Sequence, residues 1–488
     1  MTADFQLYIN GQFESGAATF ESINPATGEV WAHMPEARTD EVNRAVQAAS
    51  QALKAPEWAG LTASQRGKLL YKLADLIEKA APQLAQIETS DTGKIIRETS
   101  SQIAYVAEYY RYYAGIADKL EGSFLPIDKT DMQAWIVREP VGVVAAIVPW
   151  NSQLFLSAVK VGPALAAGCT VVLKASEDGP GPLLAFAKLV HEAGFPAGVV
   201  NVITGFGPEC GAVLSSHPDV AHVAFTGGPE TARHIVRNSA ENLAKVSLEL
   251  GGKSPFIVFA DADIQSAVNA QVAAIFAATG QSCVAGSRLL VEESIKDEFV
   301  QRLVERVQTI KIGLPHEMAT EFGPLCTLRQ RQKIEQVVAS SIQQGAKLLT
   351  GGSLERAGYY YPPTILDCTD APQADCITTE LFGPVLSVDS FKDEAQAVQK
   401  ANSTPYGLAA GVFTTNLSRA HRMTKVIGSG IVWLNTYRAV SPLAPFGGHG
   451  LSGHGREGGA NAVLDYTTTK TVWLRTSDEP IDDPFVMR

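Results

Sequence analysis

The sequence predicts an α/β protein centred on a doubly wound parallel sheet. From residue 141 onward, short valine-rich apolar runs alternate with helical stretches at regular spacing, the mark of right-handed βαβ units. A second α/β series follows Gly251, with no internal repeat or low-complexity linker between the two. At 488 residues the chain is also too long for one ordinary core, so two or three domains are expected.

The elements follow in order. The first forty residues alternate β-like runs ("LYING", "EVWAHMP") with turn residues and predict a small hairpin region. Segments 39–55 and 64–79 space alanine, leucine and valine helically, and Thr39 ahead of Glu41 and Val42 reads as an N-cap. "SQIAYVAEYYRYYAGIADKLEG" predicts a long amphipathic helix whose tyrosines pack. "VGVVAAIVPW" reads as a fully buried strand, "KVGPALAAG" as a helix, "CTVVLKAS" as a strand and "GPLLAFAKLVHEAG" as a helix. "VVNVITG" and "HVAFTGG" are further strands with a helix-like segment between them. The second series runs "SPFIVFADADI", a helix through "SAVNAQVAAIFAATG", then "RLLVEESI" and the helix "KDEFVQRLVERVQTI". "DYTTTKTVWL" alternates like a strand far from any hairpin partner, so it is expected to pair with another region or another subunit.

Composition excludes several classes. Hydrophobic residues at 45% and charged residues at 19% describe a globular chain, and the net charge of -11 opposes nucleic acid or an anionic membrane as partner. The most apolar stretches, such as 141–148, are too short to span a bilayer. "MTADFQLYINGQFESG" lacks a basic segment followed by an apolar one, so no secretory signal is expected. The six cysteines show neither metal-ligand spacing nor a disulfide framework, which fits a reducing cytoplasm and no metal site.

Three strings carry candidate chemistry. "FAATGQSCVAGSR" sets Cys283 among small residues, an environment that suits a nucleophile and equally a packed thiol. "LKASE" ends a strand with Lys174 and Glu177, which suit the hydroxyls of a ribose. "FTGGPETA" places Gly227 and Gly228 ahead of a helix N-terminus, whose free N–H groups suit a pyrophosphate; plain strand-to-helix turns would look the same. "GFGPEC" matches only the start of a G-x-G-x-x-G signature.

Together with "VPWN", "GPALAAGCTVVLKASE", "LELGGKSP", "ELFGPV" and "PFGGHGLSGHGRE", these strings occur in an order and spacing that resemble the NAD(P)-dependent aldehyde dehydrogenase superfamily over nearly the whole chain. The resemblance implies an aldehyde dehydrogenase-like fold. Residues 1–118 and 139–250 would form an NAD-binding domain, 251–451 a catalytic domain, and 119–138 with 466–488 a small β oligomerisation arm of a homodimer or homotetramer. It implies Cys283 as nucleophile, Asn151 with the Cys283 backbone N–H as oxyanion hole, and Glu249 as the base that activates water against the thioester. Lys160 would support that site. Trp150, Lys174, Glu177, Gly227, Gly228, Leu250, Glu380 and Phe382 would contact the cofactor. A carboxylate at Glu177 repels a 2′-phosphate, so NAD is favoured over NADP.

The chain departs from the family pattern in places that bear on its cofactor, at Gly228, and on its substrate. Gly228 stands where a serine or threonine is usual, and Ser152-Gln153 stand where Phe-Pro often follows the asparagine. Val159 is small where a bulky aromatic could stand. Arg438, in "NTYRAVSPLAPFGG", puts a cation at the aldehyde entrance. Arg438, Ser152 and Gln153 therefore point to a polar or carboxylate-bearing semialdehyde, against the alternative that Arg438 forms an internal salt bridge. A cysteine hydrolase would want a Cys–His pairing that none of the nine histidines displays in sequence, and a coenzyme A acylating enzyme would not need Glu249. A non-catalytic protein on the same scaffold would not need Cys283, Glu249 and Asn151 together.

Overall fold

A computed structural model describes residues 3–486. At its centre is an eight-stranded sheet whose five inner strands run parallel, in the spatial order Lys245–Glu249, Val220–Thr226, Val143–Ile147, Thr170–Ala175, Val200–Thr204. The hairpin of Leu7–Ile9 and Gln12–Glu14 extends one edge antiparallel, and Gly453–His454 extends the other. Every residue of Val143–Ile147 and of Thr170–Ala175 is buried. Covered on both faces, such strands need apolar residues at every position, which is why they read as unbroken runs.

Chain order reverses within this sheet. From Val143–Ile147 the chain steps outward to Thr170–Ala175 and Val200–Thr204, then returns to lay Val220–Thr226 on the other side of Val143–Ile147. A reversal of this kind opens a crevice at the carboxyl ends of the two central strands.

A seven-stranded sheet follows, ordered Lys347–Thr350, Thr364–Asp367, Val385–Phe391, Arg288–Glu292, Pro255–Val258, Ala409–Phe413, Ile431–Leu434, with only Lys347–Thr350 antiparallel. The terminal strand Thr467–Arg475 finds its partner in Met132–Pro140, paired in continuous register from Thr467 opposite Pro140 to Arg475 opposite Met132. Ser123–Leu125 completes that separate three-stranded sheet.

Three local expectations are corrected. The N-cap of the first helix is Arg38, not Thr39: the Arg38 N–H donates to Glu41 Oε2 at 2.9 Å, and Thr39 is already helical. The second helix runs over Ala63–Thr92, straight through Pro82, because Leu84, Ala85, Glu88 and Thr89 continue its buried face until Gly93 ends it at φ 76°. Among the tyrosines, Tyr109, Tyr110 and Tyr113 are buried as expected, but Tyr105 is 37% exposed and lines a cavity.

Candidate active site

The carboxyl ends of adjacent parallel strands gather most of the expected residues. Trp150 and Asn151 follow Val143–Ile147, Lys174 lies in Thr170–Ala175 with Glu177 just beyond, Gly227 and Gly228 follow Val220–Thr226, and Glu249 with Leu250 ends Lys245–Glu249. The order of the sheet, not proximity in sequence, brings them together.

Cys283 sits at the end of a strained turn. Ala278, Thr279 and Gly280 all take left-handed backbone (φ 52°, 55° and 72°), which only the glycine adopts freely. Glycine is required at 280 for a second reason. A Cβ there would lie 2.3 Å from the backbone of Gly383, so the "GQSC" turn packs directly on the "ELFGPV" segment. The turn is tied down by Glu98 Oε1, which accepts the Ala278 N–H at 2.8 Å, and by Gln281 Oε1, which accepts the Cys326 N–H at 2.9 Å. Asn151 Nδ2 donates to the Gln281 carbonyl at 3.1 Å, which leaves its second N–H free beside Cys283. Among the described residues nothing accepts the backbone N–H of Cys283.

Cys283 is half-buried, and its thiol is pushed up to about 12, first by burial, then by the charges of Glu380 and Glu249, with Arg438 opposing. Glu249 is buried with no hydrogen bond to either carboxylate oxygen. Burial, then the neighbouring Glu457, raise its carboxyl well above the usual range, while Lys160 and Arg456 oppose the shift. Lys160, fully buried, donates to Thr226 Oγ1 at 2.6 Å and pairs with Glu457, so it does not bond Glu249 itself. The other five cysteines are buried and free.

The expected cofactor contacts are also placed. Lys174 Nζ lies 3.6 Å from Glu177 Oε2, and the Glu177 side chain stays 30% exposed at the strand ends. Gly228 caps the ten-residue helix Pro229–Asn238 and has open space where a side chain would project. Leu250 is buried and held by the Ser452 carbonyl at 3.1 Å. Trp150 meets the Phe382 ring edge-to-face at 5.5 Å. Glu380 Oε1 accepts the Gly252 N–H at 3.0 Å, and its carboxylate lies so flat on Gly251 that a Cβ there would come within 1.9 Å of Oε2.

A cavity of about 890 Å³ leads to Cys283 and is lined by Asn151, Ser152, Arg438, Tyr105, Phe155 and Phe446 among others. Of the residues expected at the substrate entrance, Ser152 and Arg438 line this cavity. Ser152 faces the cavity, but its hydroxyl already donates to the Asn151 carbonyl at 2.6 Å and accepts from Lys94 at 3.1 Å. Arg438 forms no ion pair within 4 Å among the described residues, so the internal salt bridge is not seen; its Nη1 donates to the carbonyls of Ala273 and Ala277 (3.3 and 3.2 Å) at the end of the helix Ile264–Phe276. Gln153 is corrected. It is the first residue of the helix Gln153–Ala167, fully buried, and packed toward Gly179 instead of the cavity. Val159 is likewise buried and lines no part of the cavity. Sequence reading missed Glu98, Gln102 and Tyr105, which line the wall from the helix Ile96–Ile116. The helical spacing of Gln102 and Tyr105 was legible, but Glu98 precedes the helix read from the sequence, and nothing in the sequence puts this face over the cysteine turn.

The family model for the aldehyde dehydrogenase family matches residues 13–472. A curated relative from Acinetobacter baylyi, (Z)-2-((N-methylformamido)methylene)-5-hydroxybutyrolactone dehydrogenase, is 81% identical over 485 residues, 99% of each chain. Aldehyde dehydrogenase 1 of Tanacetum cinerariifolium is 44% identical over 97% of this chain and 96% of its own. Among solved structures, betaine aldehyde dehydrogenase from Staphylococcus aureus in complex with NAD+ superposes with a TM-score of 0.96 at 38% identity, covering 99% of this chain and 97% of that one.

Proposed function

The chain belongs to the aldehyde dehydrogenase family, and from that premise we propose that it oxidises a carboxylate-bearing semialdehyde to the acid, with NAD as hydride acceptor. The substrate named for the 81% identical relative is a 5-hydroxybutyrolactone. Such a ring is the closed form of a four-carbon chain with an aldehyde at one end and a carboxylate at the other. The open form, substituted at the carbon next to the carboxylate, is the semialdehyde we assign to this chain. One observation carries the assignment: Arg438 lines the same cavity as Cys283 and Asn151, with guanidinium nitrogens left for a ligand.

Cys283 Sγ, its thiol proton passed to water in the cavity, adds as the thiolate to the aldehyde carbon. The oxyanion that forms is received by the free N–H of Asn151 and the backbone N–H of Cys283, and one such donor is worth ~3 kcal/mol in the transition state. The residues at the strand ends fit a dinucleotide. Gly228 leaves room ahead of a helix N-terminus, Glu177 and Lys174 suit a ribose, and the Trp150–Phe382 pair with Glu380 suits the nicotinamide end. NAD, when bound, supplies the hydride acceptor that lets the cysteine adduct become a thioester. Glu249, unpaired and basic, then activates water to release the acid. Neither Glu249 nor Glu380 lines the substrate cavity, so the semialdehyde and the cofactor reach Cys283 from different sides.

We assign the eight-stranded sheet to NAD binding and the seven-stranded sheet to catalysis. The three-stranded arm exposes Phe124, Trp473 and Leu474 and suits self-association into a homodimer or homotetramer. No helix among the described residues is long and apolar enough to cross a membrane.

The test is NADH formation from 4-oxobutanoate, from its 2-substituted hydroxylactones and from a neutral aldehyde of equal length. Arg438→Ala should raise KM for the acidic substrates about tenfold or more, the ~1.4 kcal/mol of a charge-assisted hydrogen bond, and leave the neutral one nearly unchanged. Equal losses on both would mean that Arg438 holds structure.

A further inference from the structure

Among the charged residues that line the substrate cavity, which also include Arg97, Arg306 and Glu321, Glu98 and Arg438 are both anchored on the backbone of residues 273–278 without pairing. Glu98 stands in the first turn of Ile96–Ile116. Its Oε1 is held by the Ala278 N–H, and its Oε2 has no protein hydrogen bond among the described residues. Arg438 is held by the carbonyls of Ala273 and Ala277, which leaves Nε and Nη2 uncommitted. Both anchors belong to one short stretch of backbone, so the carboxylate and the guanidinium feel each other's charge yet are kept from forming an ion pair.

The other cations facing Glu98 are Lys94 and Arg97. Lys94 is committed to Glu88 at 2.8 Å, Gln102 at 2.8 Å and Ser152 at 3.1 Å, and Arg97 is exposed. Arg438 is therefore the cation that a ligand beside Glu98 would meet.

A ring-closed hydroxylactone cannot react with Cys283 directly, because its hydroxyl-bearing carbon is already tetrahedral and offers no carbonyl to attack. We propose that Glu98 and Arg438 open the ring in the cavity, Glu98 as general base and Arg438 as the receiver of the carboxylate; this rests on the acidic semialdehyde reading above. Glu98 Oε2 takes the proton of the ring hydroxyl. The electron pair of that O–H bond becomes the second bond of the aldehyde carbonyl. The bond from the same carbon to the ring oxygen breaks, and its electrons leave on the carboxylate, which Arg438 binds. No oxidant or reductant is consumed, and the proton passes from Glu98 to solvent. Burial raises the Glu98 carboxyl above the usual range, which suits it to hold that proton in transit.

The experiment separates ring opening from oxidation. In Cys283→Ala enzyme, which cannot oxidise, exchange between 5-hydroxybutyrolactone and open 4-oxobutanoate is followed by NMR magnetisation transfer. Exchange should run about tenfold or more above buffer, and adding Glu98→Gln should return it to the buffer rate. In otherwise intact enzyme, Glu98→Gln, which keeps an oxygen for the Ala278 N–H, should lower turnover of the hydroxylactone about tenfold more than turnover of 4-carboxybenzaldehyde, an acidic aldehyde that cannot close a ring. Exchange no faster than buffer, or equal losses on both aldehydes, would overturn the proposal and leave Glu98 as a prop for the Ala278 turn. Accelerated exchange with no NADH from either aldehyde would instead refute the substrate reading while leaving the ring-opening pair in place.

Discussion

Replacing Asn151 by alanine removes the side-chain donor of the proposed oxyanion site. Its amide nitrogen has two N–H groups, and the Gln281 carbonyl at 3.1 Å takes only one. The amide is 9% exposed and its Oδ1 has no partner, so solvent supplies no ready substitute for the lost donor. A preorganised donor in such a site contributes ~3 kcal/mol to the transition state, so kcat should fall about 10²-fold. The change also strips the Gln281 carbonyl of its donor, which costs ~1–3 kcal/mol of local stability. The two effects separate experimentally. NAD affinity by fluorescence titration should be unchanged, a single-turnover measurement should show the loss in NADH formation, and thermal unfolding should report the lost hydrogen bond. A kcat within threefold of wild type, with the Gln281 contact demonstrably broken, would refute the oxyanion role.

Three further outcomes follow from the same geometry. Glu457 raises the Glu249 carboxyl, so Glu457→Gln should lower it and move the acid limb of the pH–kcat profile to lower pH; an unmoved or upward-shifted limb contradicts the assignment. Gly251→Ala forces a Cβ to within 1.9 Å of Glu380 Oε2, so Glu380 must leave its place, and KM for NAD should rise while folding is kept. Glu177→Ser removes the carboxylate proposed to face the ribose and repel a 2′-phosphate, so the NADP to NAD ratio of kcat/KM should rise about tenfold; an unchanged ratio would put the adenosine ribose elsewhere.

The parallel sheets were legible because buried strands such as Val143–Ile147 and Thr170–Ala175 must be apolar throughout. Lys174 and Glu177 stand out because they end or follow such a strand, as Gly227 and Gly228 follow Val220–Thr226, whereas Glu380 and Phe382 precede Val385–Phe391 and rested on the family resemblance alone. Less was legible where burial depends on packing between distant segments. Gln153 looks like a polar residue at a substrate mouth, yet the helix that starts there turns it inward. The helix Ala63–Thr92 passes through a proline that local rules take as a stop, because its buried face continues beyond it. Glu98 carries no motif, and its place at the cysteine turn arises only when Ile96–Ile116 packs across Ala278. Arg438 lines the same cavity as Cys283, but its anchoring on Ala273 and Ala277 has no signature in the sequence.

The central claim is that Cys283 forms the thioester and Glu249 resolves it. Glu249→Gln enzyme, mixed with NAD and the hydroxylactone and quenched in acid, should carry one acyl group per chain, mapped by peptide mass spectrometry to Cys283. Its NADH trace should show a burst of about one equivalent followed by a stall. No adduct, an adduct on any of the other five cysteines, or steady turnover without a stall would contradict the account.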